Sequence, residues 1–178
     1  MSSIHIRVLG DIVCVVVCLT AAAFDLRTRR VPDVLTLPAL VTGLLLSWSG
    51  GGYSFATAVI AAVLLGGLPA MLAAGGGMGW GDVKLMAAVG ALLGWPTAAW
   101  AIVLYVLLFT GFAGGAIAVV AAARRGRTRA ALRGVLTLHR GPGHDQERSG
   151  VFVPYAVAIC VGACWAVAGR YVPELLFV

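Results

Sequence analysis

Residues 54–75 read SFATAVIAAVLLGGLPAMLAAG, a stretch without a single charged side chain. A helix needs about 20 predominantly apolar residues to cross the hydrocarbon core of a bilayer, which is about 30 Å thick. This stretch is long enough to cross, and a water-soluble surface could not accommodate it. It therefore predicts a transmembrane helix, and the same pattern recurs along the rest of the chain.

Five further apolar runs, each with few or no charges, lie at about 8–24, 34–48, 83–95, 98–123 and 151–169. The chain of 178 residues is 61% hydrophobic and 11% charged, against roughly 25% charged residues in an ordinary soluble domain. We therefore expect an all-α, polytopic membrane protein with about six transmembrane helices. Residues 1–178 are expected to form one membrane-embedded domain, in which the second and fourth runs are shorter than a full crossing.

The lysines and arginines predict the orientation, because cytoplasmic loops carry an excess of these residues. With the N-terminus outside, every one of the 13 except Arg7 and Arg170 falls on the inner side, many of them in a basic cytoplasmic loop at about 124–150. We expect an inner (plasma) membrane protein with both termini outside. Alternatively, the first run and Ala21-Ala22-Ala23 resemble a cleaved signal peptide, but the basic residues that follow oppose export.

Acidic side chains in or beside a membrane span are energetically costly, so each requires an explanation. Asp11 lies four residues after Arg7, which predicts an ion pair near the outer interface. It is about 21 Å from Asp25 along the first helix, at 1.5 Å per residue. Asp25 and Asp82, by contrast, fall on different helices at the same inner boundary.

Two carboxylates at one depth suit the hydrolysis of a peptide bond by an activated water. The ionised carboxylate takes a proton from water, while the protonated one polarises the scissile carbonyl. Because close like charges cannot both ionise, the pair is expected to share one proton. Helix dipoles favour Asp82 as the base and Asp25 as the acid, although Arg27 and Lys84 can reverse this. The alternative is that both aspartates only balance nearby cations.

Asp82 stands in a glycine-rich stretch, GGGMGWGDVK at residues 75–84. Glycine has no Cβ, so a substrate backbone can approach closely. A phosphate-binding loop is not indicated, because no GK[ST] follows and the spacing does not fit GxGxxG. Close helix packing by small residues is the other interpretation. It does not explain an acid directly after the last glycine.

The stretch Gly79 to Lys84 resembles the GxGDxK motif of the type IV prepilin peptidases, a family of GxGD membrane aspartyl proteases. Residues 25–33, DLRTRRVPD, resemble the D-x-R…[IV]-P-N context of that family's first aspartate, with Asp33 where Asn is usual. Residues 153–159, VPYAVAI, are similar to the proline-aromatic entry to the family's last helix. GxGD alone also occurs in presenilin-like proteases; the ordered combination is more specific.

The resemblance implies cleavage of a short basic leader from pilin-like precursors at the cytoplasmic membrane face. It carries over Asp25 and Asp82 as the catalytic pair, and the substrate-binding or supporting residues are Gly79, Gly81, Lys84, Arg27, Pro32 and Pro154. The implied partners are pilin-like precursors and the bilayer, with the pilus assembly machinery as a further candidate. Long members also N-methylate the new terminus and carry a Cys-rich insertion. This chain lacks that insertion and resembles the compact, peptidase-only branch associated with tight-adherence pili.

Other functions have less support in the sequence. The pairs Cys14/Cys18 and Cys160/Cys164 are expected to pack between helices rather than to bind a metal. With the three histidines scattered, neither a metal nor a cofactor is expected.

The basic loop is expected to face anionic lipid, and it has no aromatic residues to stack on nucleic acid. A small proton- or ion-coupled transporter is the alternative function, but the two aspartates lie at an interface rather than at the midplane and no inverted repeat is visible.

Overall fold

The computed structural model describes residues 3–49, 52–74, 78–94, 99–124 and 155–172. These residues form six helices and contain no strand, so the predicted all-α fold is confirmed for them. The helices are α1 (Ser3–Thr28), α2 (Asp33–Ser49), α3 (Gly52–Ala74), α4 (Trp80–Leu93), α5 (Ala99–Arg124) and α6 (Tyr155–Tyr171). Each overlaps one of the six predicted apolar runs. Pro154 and residues 125–150 of the basic loop lie outside the described residues.

Two of the described helices are long and apolar enough to cross a membrane, through the segments Ile4–Thr28 and Ser54–Ala74. Helices α2 and α6 and the apolar segment Val103–Ala116 of α5 are shorter. Helix α4 has only 14 residues. The short second and fourth helices agree with the lengths of their apolar runs.

Large apolar side chains cover the outside of the bundle, and small ones fill much of its inside. Exposed residues of the first kind include Ile12, Val16, Leu45, Val63, Met71, Leu104 and Phe112. Fully buried residues of the second kind include Cys14, Ala21, Ala58, Ala61, Ala88, Ala91 and Ala163. Small residues between helices let backbones approach closely, as in membrane bundles, where lipid solvates the large apolar side chains outside.

Helix α4 lies at the centre of the bundle, in contact with all five other helices. Its approach to α2 and α3 depends on glycine. A Cβ added at Gly90 would lie 2.5 Å from the carbonyl oxygen of Ala61, and one at Gly43 would lie 2.8 Å from the backbone of Ala91. Since both obstacles are backbone atoms, these two crossings leave no space for a larger residue.

One end of the bundle is held by a buried carboxylate. Asp11 is 4% exposed, and its partners come from α6: the Arg170 guanidinium donates to one oxygen, and the Tyr171 hydroxyl donates to the other over 3.0 Å. Arg170 also donates to the carbonyl of Leu93, the last residue of α4. The predicted pairing with Arg7 was therefore wrong, because the bundle supplies partners from a distant helix.

We expect Gly90→Ala to lower the thermal midpoint of unfolding in detergent, because the new methyl group must displace the backbone of α3. Overpacking of this kind costs about 1–3 kcal/mol. Gly67→Ala on α3 is the matched control, since a Cβ there meets nothing within 4 Å. It should leave the midpoint unchanged or raise it slightly, because alanine favours helix over glycine. Equal midpoints for the two variants would contradict the close crossing of α3 and α4.

Candidate active site

Asp25 lies in the last turn of α1 and is only 4% exposed. The helix ends through Arg29, which has a left-handed φ of 57° and donates its N–H to the carbonyl of Asp25 over 2.9 Å. This is a common way for a helix to terminate. The chain then reverses through Val31 and Pro32. The carbonyl of Pro32 accepts the N–H of Leu35 as α2 begins. The reversal brings the start of α2 to the same end of the bundle as Asp25.

The side chain of Asp25 reaches the beginning of another helix. Its Oδ2 accepts the backbone N–H of Ala156, the second residue of α6, over 3.3 Å. The first N–H groups of a helix have no partner within the helix, and the helix dipole is positive at that end. The start of α6 therefore stabilises the ionised form of Asp25, although Asp25 itself lies at the unfavourable end of α1.

Asp82 lies in the first turn of α4 and is 8% exposed. Its backbone N–H and that of Val83 donate to the carbonyl of Gly79, over 3.2 and 3.3 Å, and its carboxylate accepts a hydrogen bond from the Gly79 backbone. The other carboxylate oxygen, Oδ1, is buried and has no hydrogen-bond partner within the described segments. One oxygen of Asp82 is thus fixed, and the other is buried with its hydrogen-bonding capacity unused by the described residues.

The two carboxylates lie close enough to influence each other. Burial, followed by the charge of Asp25, raises the pKa of Asp82 to about 7; Asp82 itself lies outside both candidate membrane spans. Asp82 in turn acts electrostatically on the hydroxyl of Tyr155, whose neighbour Ala156 holds Asp25. The end of α1 and the beginnings of α4 and α6 therefore meet at one site. The pair selected from the sequence is together in the structure.

The two glycines beside Asp82 have different contacts. A Cβ at Gly81 would lie 2.9 Å from the carbonyl oxygen of Val31, so the start of α4 packs directly on the turn that follows α1. A Cβ at Gly79 would lie 3.2 Å from Oδ2 of Asp82. Gly81 thus seats α4 against the preceding turn, and Gly79 leaves room for the carboxylate.

The basic residues proposed from the sequence lie at the margin of the site. Lys84 donates to Asp33 at the start of α2, with 2.6 Å between Nζ and Oδ2, and both side chains are partly exposed. Arg27 is exposed in the last turn of α1. Lys84 therefore pairs with Asp33, the residue at the motif position where Asn is usual, and not with Asp25 or Asp82.

Residues 12–119, which include both buried aspartates, match the sequence profile of the type IV leader peptidase family. The chain belongs to this family. The matched segment contains more than half of the chain and confirms the resemblance inferred from the short motifs. The match ends before α6, so the N–H group that holds Asp25 lies outside the matched segment.

Several relatives are prepilin leader peptidase/N-methyltransferases. The chain is 37% identical to that of Dickeya chrysanthemi over 97 residues, which is 51% of this chain and 34% of the relative. It is 38% identical to that of Burkholderia pseudomallei (strain K96243) over 125 residues, or 62% of this chain and 36% of the relative. It is 46% identical to that of Aeromonas hydrophila over 78 residues, which is 40% of this chain and 27% of the relative. The chain thus matches about a third of the length of these relatives. No solved structure matches it.

Two features of the site were missed in the sequence. The backbone N–H of Ala156 and the hydroxyl of Tyr155 both belong to the stretch VPYAVAI, which was treated only as the entry to the last helix. The available signal was topology: in the predicted orientation the last helix begins on the same side of the membrane as Asp25. A helix beginning there offers unpaired N–H groups to a carboxylate.

In the described part of the chain, no group of three or more His, Cys, Asp or Glu side chains is arranged to hold a metal ion. The four cysteines are free thiols. Cys18 on α1 lies close to Cys160 and Cys164 on α6. They pack between the two helices as the sequence predicts.

We expect the exposed and the buried ion pairs to respond differently to loss of a charge. Asp33→Asn should change the free energy of unfolding by at most about 1 kcal/mol, because exposed pairs contribute little and the amide oxygen can still accept from Lys84. Asp11→Asn should cost about 3 kcal/mol or more, because it leaves Arg170 buried beside a neutral group. Thermal unfolding in detergent measures both, and a larger loss for Asp33→Asn would contradict the burial described above.

Proposed function

We propose that this chain is an intramembrane-type aspartyl endopeptidase that removes the basic leader peptide from prepilin-like precursors at the cytoplasmic membrane face. The observation that supports this most directly is the meeting of Asp25 and Asp82 beside the start of α6, in a chain that belongs to a leader peptidase family. Two neighbouring carboxylates are sufficient to activate a water for peptide hydrolysis, and the proposal needs no metal or cofactor.

The hydrogen bonds around the pair favour Asp25 as the base and Asp82 as the acid. Asp25 accepts the Ala156 N–H, which stabilises its charge, and Asp82 has a raised pKa and an unpartnered oxygen. This assignment is opposite to the one that the dipoles of α1 and α4 suggest. The reason is that the positive end of α6 lies directly against Asp25, whereas its own helix acts on it less directly.

Hydrolysis then follows in two steps. Asp25 takes a proton from water as the water oxygen bonds to the scissile carbonyl carbon, while Asp82 donates to the carbonyl oxygen. The tetrahedral intermediate collapses when the C–N bond breaks, and the leaving amine takes the proton that Asp25 received. As the C=O bond re-forms, Asp82 takes back the proton that it gave to the carbonyl oxygen, so the pair returns to its singly protonated state with Asp25 ionised and Asp82 protonated.

The remaining residues of the site have supporting roles in this proposal. Gly79 and Trp80 are exposed beside Asp82, so an extended substrate can approach the backbone there. Gly81 and Pro32 hold the start of α4 and the start of α2 in place. Lys84 and Arg27 lie at the margin, where the precursor enters; Pro154, outside the described residues, precedes α6.

Localisation in the inner (plasma) membrane, with both termini outside and the site facing the cytoplasm, is part of the proposal. Arg27 and Lys84 lie at the aspartate end of the bundle, and Arg170 lies at the opposite end, which is the charge bias expected for this orientation. The proposed partners are pilin-like precursors, the bilayer and the pilus assembly machinery; no nucleic acid is proposed. Methyl transfer, which the names of the relatives also mention, is not extended to this chain, since it matches only about a third of their length.

We expect Asp25→Asn and Asp82→Asn each to abolish cleavage of a co-expressed pilin-like precursor, because the single carboxylate that remains cannot act as base and acid at once. Precursor size on a gel measures cleavage, and the amount of variant in the membrane fraction shows that the chain has accumulated. Asp33→Asn is the matched control: it makes the same chemical change at an exposed carboxylate nearby and should still cleave. Processing by either variant of the buried pair would refute the two-carboxylate mechanism.

We also expect the rate of cleavage to fall as the pH rises above about 7. Burial and the charge of Asp25 raise the pKa of Asp82 to about 7, so the proton that the acid must donate is present below this pH and is lost above it. Beyond the midpoint, kcat/KM should decrease about tenfold per pH unit, as for loss of a single proton. Initial rates of the detergent-solubilised protein between pH 5 and 9 measure this. A rate that stays constant up to pH 9 would exclude Asp82 as the acid.

A further inference from the structure

We propose that the hydroxyl of Tyr155 is a third catalytic group of this site, which donates a hydrogen bond to the scissile carbonyl oxygen as negative charge develops on it in the transition state. The inference rests on the proposed peptidase function and extends it to a residue outside the matched family segment. Three observations carry it: the position of Tyr155 at the start of α6, the packing of its ring on α5, and the buried oxygen of Asp82 that has no hydrogen-bond partner among the described residues.

The backbone of Tyr155 is fixed at the site. Tyr155 is the first residue of α6, and the N–H of the next residue, Ala156, bonds to Oδ2 of Asp25 over 3.3 Å. Because adjacent Cα atoms are about 3.8 Å apart, Tyr155 cannot move away from Asp25 without breaking that bond. The helix start that stabilises the base therefore also positions the tyrosine.

The ring of Tyr155 is confined by α5. A Cβ added at the buried Gly114 would lie 3.9 Å from the Cδ1 and Cε1 atoms of the ring, so the ring packs over a residue without a side chain. Tyr155 is half-buried, and its hydroxyl lies within the electrostatic range of Asp82. Fixed at the backbone and packed on one side, the phenol is a preorganised donor rather than a freely rotating one.

The unpartnered oxygen of Asp82 is the atom from which a proton would pass to the substrate carbonyl in this proposal. Oδ1 is buried and has no partner within the described segments, although buried polar atoms are nearly always hydrogen-bonded. A scissile carbonyl oxygen that receives the proton of Asp82 would satisfy it. The Tyr155 hydroxyl, which lies within the electrostatic range of the same carboxylate, would donate to that oxygen as well.

The proposed role requires no additional proton transfer. As water adds, the carbonyl oxygen gains negative charge, and the phenol donates a hydrogen bond to it while keeping its own proton. When the C–N bond breaks, the C=O bond re-forms and this hydrogen bond weakens. A preorganised donor of this kind acts mainly in the transition state, so it raises kcat more than it tightens substrate binding.

The test compares Tyr155→Phe with the wild-type full chain in detergent, acting on a purified pilin-like precursor that carries a basic leader. We expect kcat to fall about 100- to 1,000-fold, as for removal of an oxyanion donor, with KM within about twofold. The pH at which the rate begins to fall should stay near that of the wild type, because Asp82 keeps its proton. Tyr105→Phe on α5 is the matched control, since it removes a hydroxyl from a half-buried ring that stacks on Phe109, and it should leave kcat unchanged.

Three results would overturn the inference. If kcat of Tyr155→Phe stays within about threefold of the wild-type value, the hydroxyl takes no part in the reaction. A large increase in KM at unchanged kcat would make it a group that only binds substrate. A thermal midpoint several degrees lower would mean that the hydroxyl serves folding. Failure of the proposed function is distinguishable from these results: wild-type chain that does not cleave the precursor would count against the peptidase function itself, and retained cleavage by Asp25→Asn or Asp82→Asn would count against the two-carboxylate mechanism.

Discussion

The position of helix α4 depends on backbone contacts that only glycine permits. Gly90 lies against the backbone of α3, and Gly81 lies against Val31 in the turn after α1. The first contact places a short helix in the middle of the bundle, and the second sets its beginning beside the end of α1. Asp82 follows Gly81 directly, so the position of the second carboxylate depends on how closely these backbones approach. A larger side chain at either glycine would move the helix and the acid together.

The site is asymmetric because three helix ends of different polarity meet in it. Asp25 lies at the negative end of its own helix but accepts an N–H from the positive end of α6. Asp82 lies at the positive end of α4, but it is buried beside Asp25 and one of its oxygens has no partner. Direct hydrogen bonds and a nearby charge act over shorter distances than a helix dipole, and the proposed assignment of the proton to Asp82 follows from them.

The same three helices are joined again at the other end of the bundle. There Arg170 of α6 contacts Asp11 of α1 and the final carbonyl of α4, and Tyr171 also donates to Asp11. Helices α1, α4 and α6 are thus connected near both of their ends, by a charge cluster at one and by the buried aspartates at the other. A bundle whose interior consists largely of small residues gains little from side-chain volume. Polar contacts at the two ends therefore help to fix the relative positions of these helices.

The sequence by itself determined which of the described segments are helices, and it selected the two carboxylates, Asp25 and Asp82, that the structure brings together at one end of the bundle. These follow from apolar run length, the GxGD setting of Asp82 and the distribution of basic residues, all of which are local properties. The partners of those groups were decided by the tertiary structure. Arg170 rather than Arg7 pairs with Asp11, and Ala156 holds Asp25, because such contacts join helices far apart in sequence. A pattern of residue types does not show backbone N–H groups or the distances between helices. The proposed assignment of the proton to Asp82 rather than Asp25 depends on both.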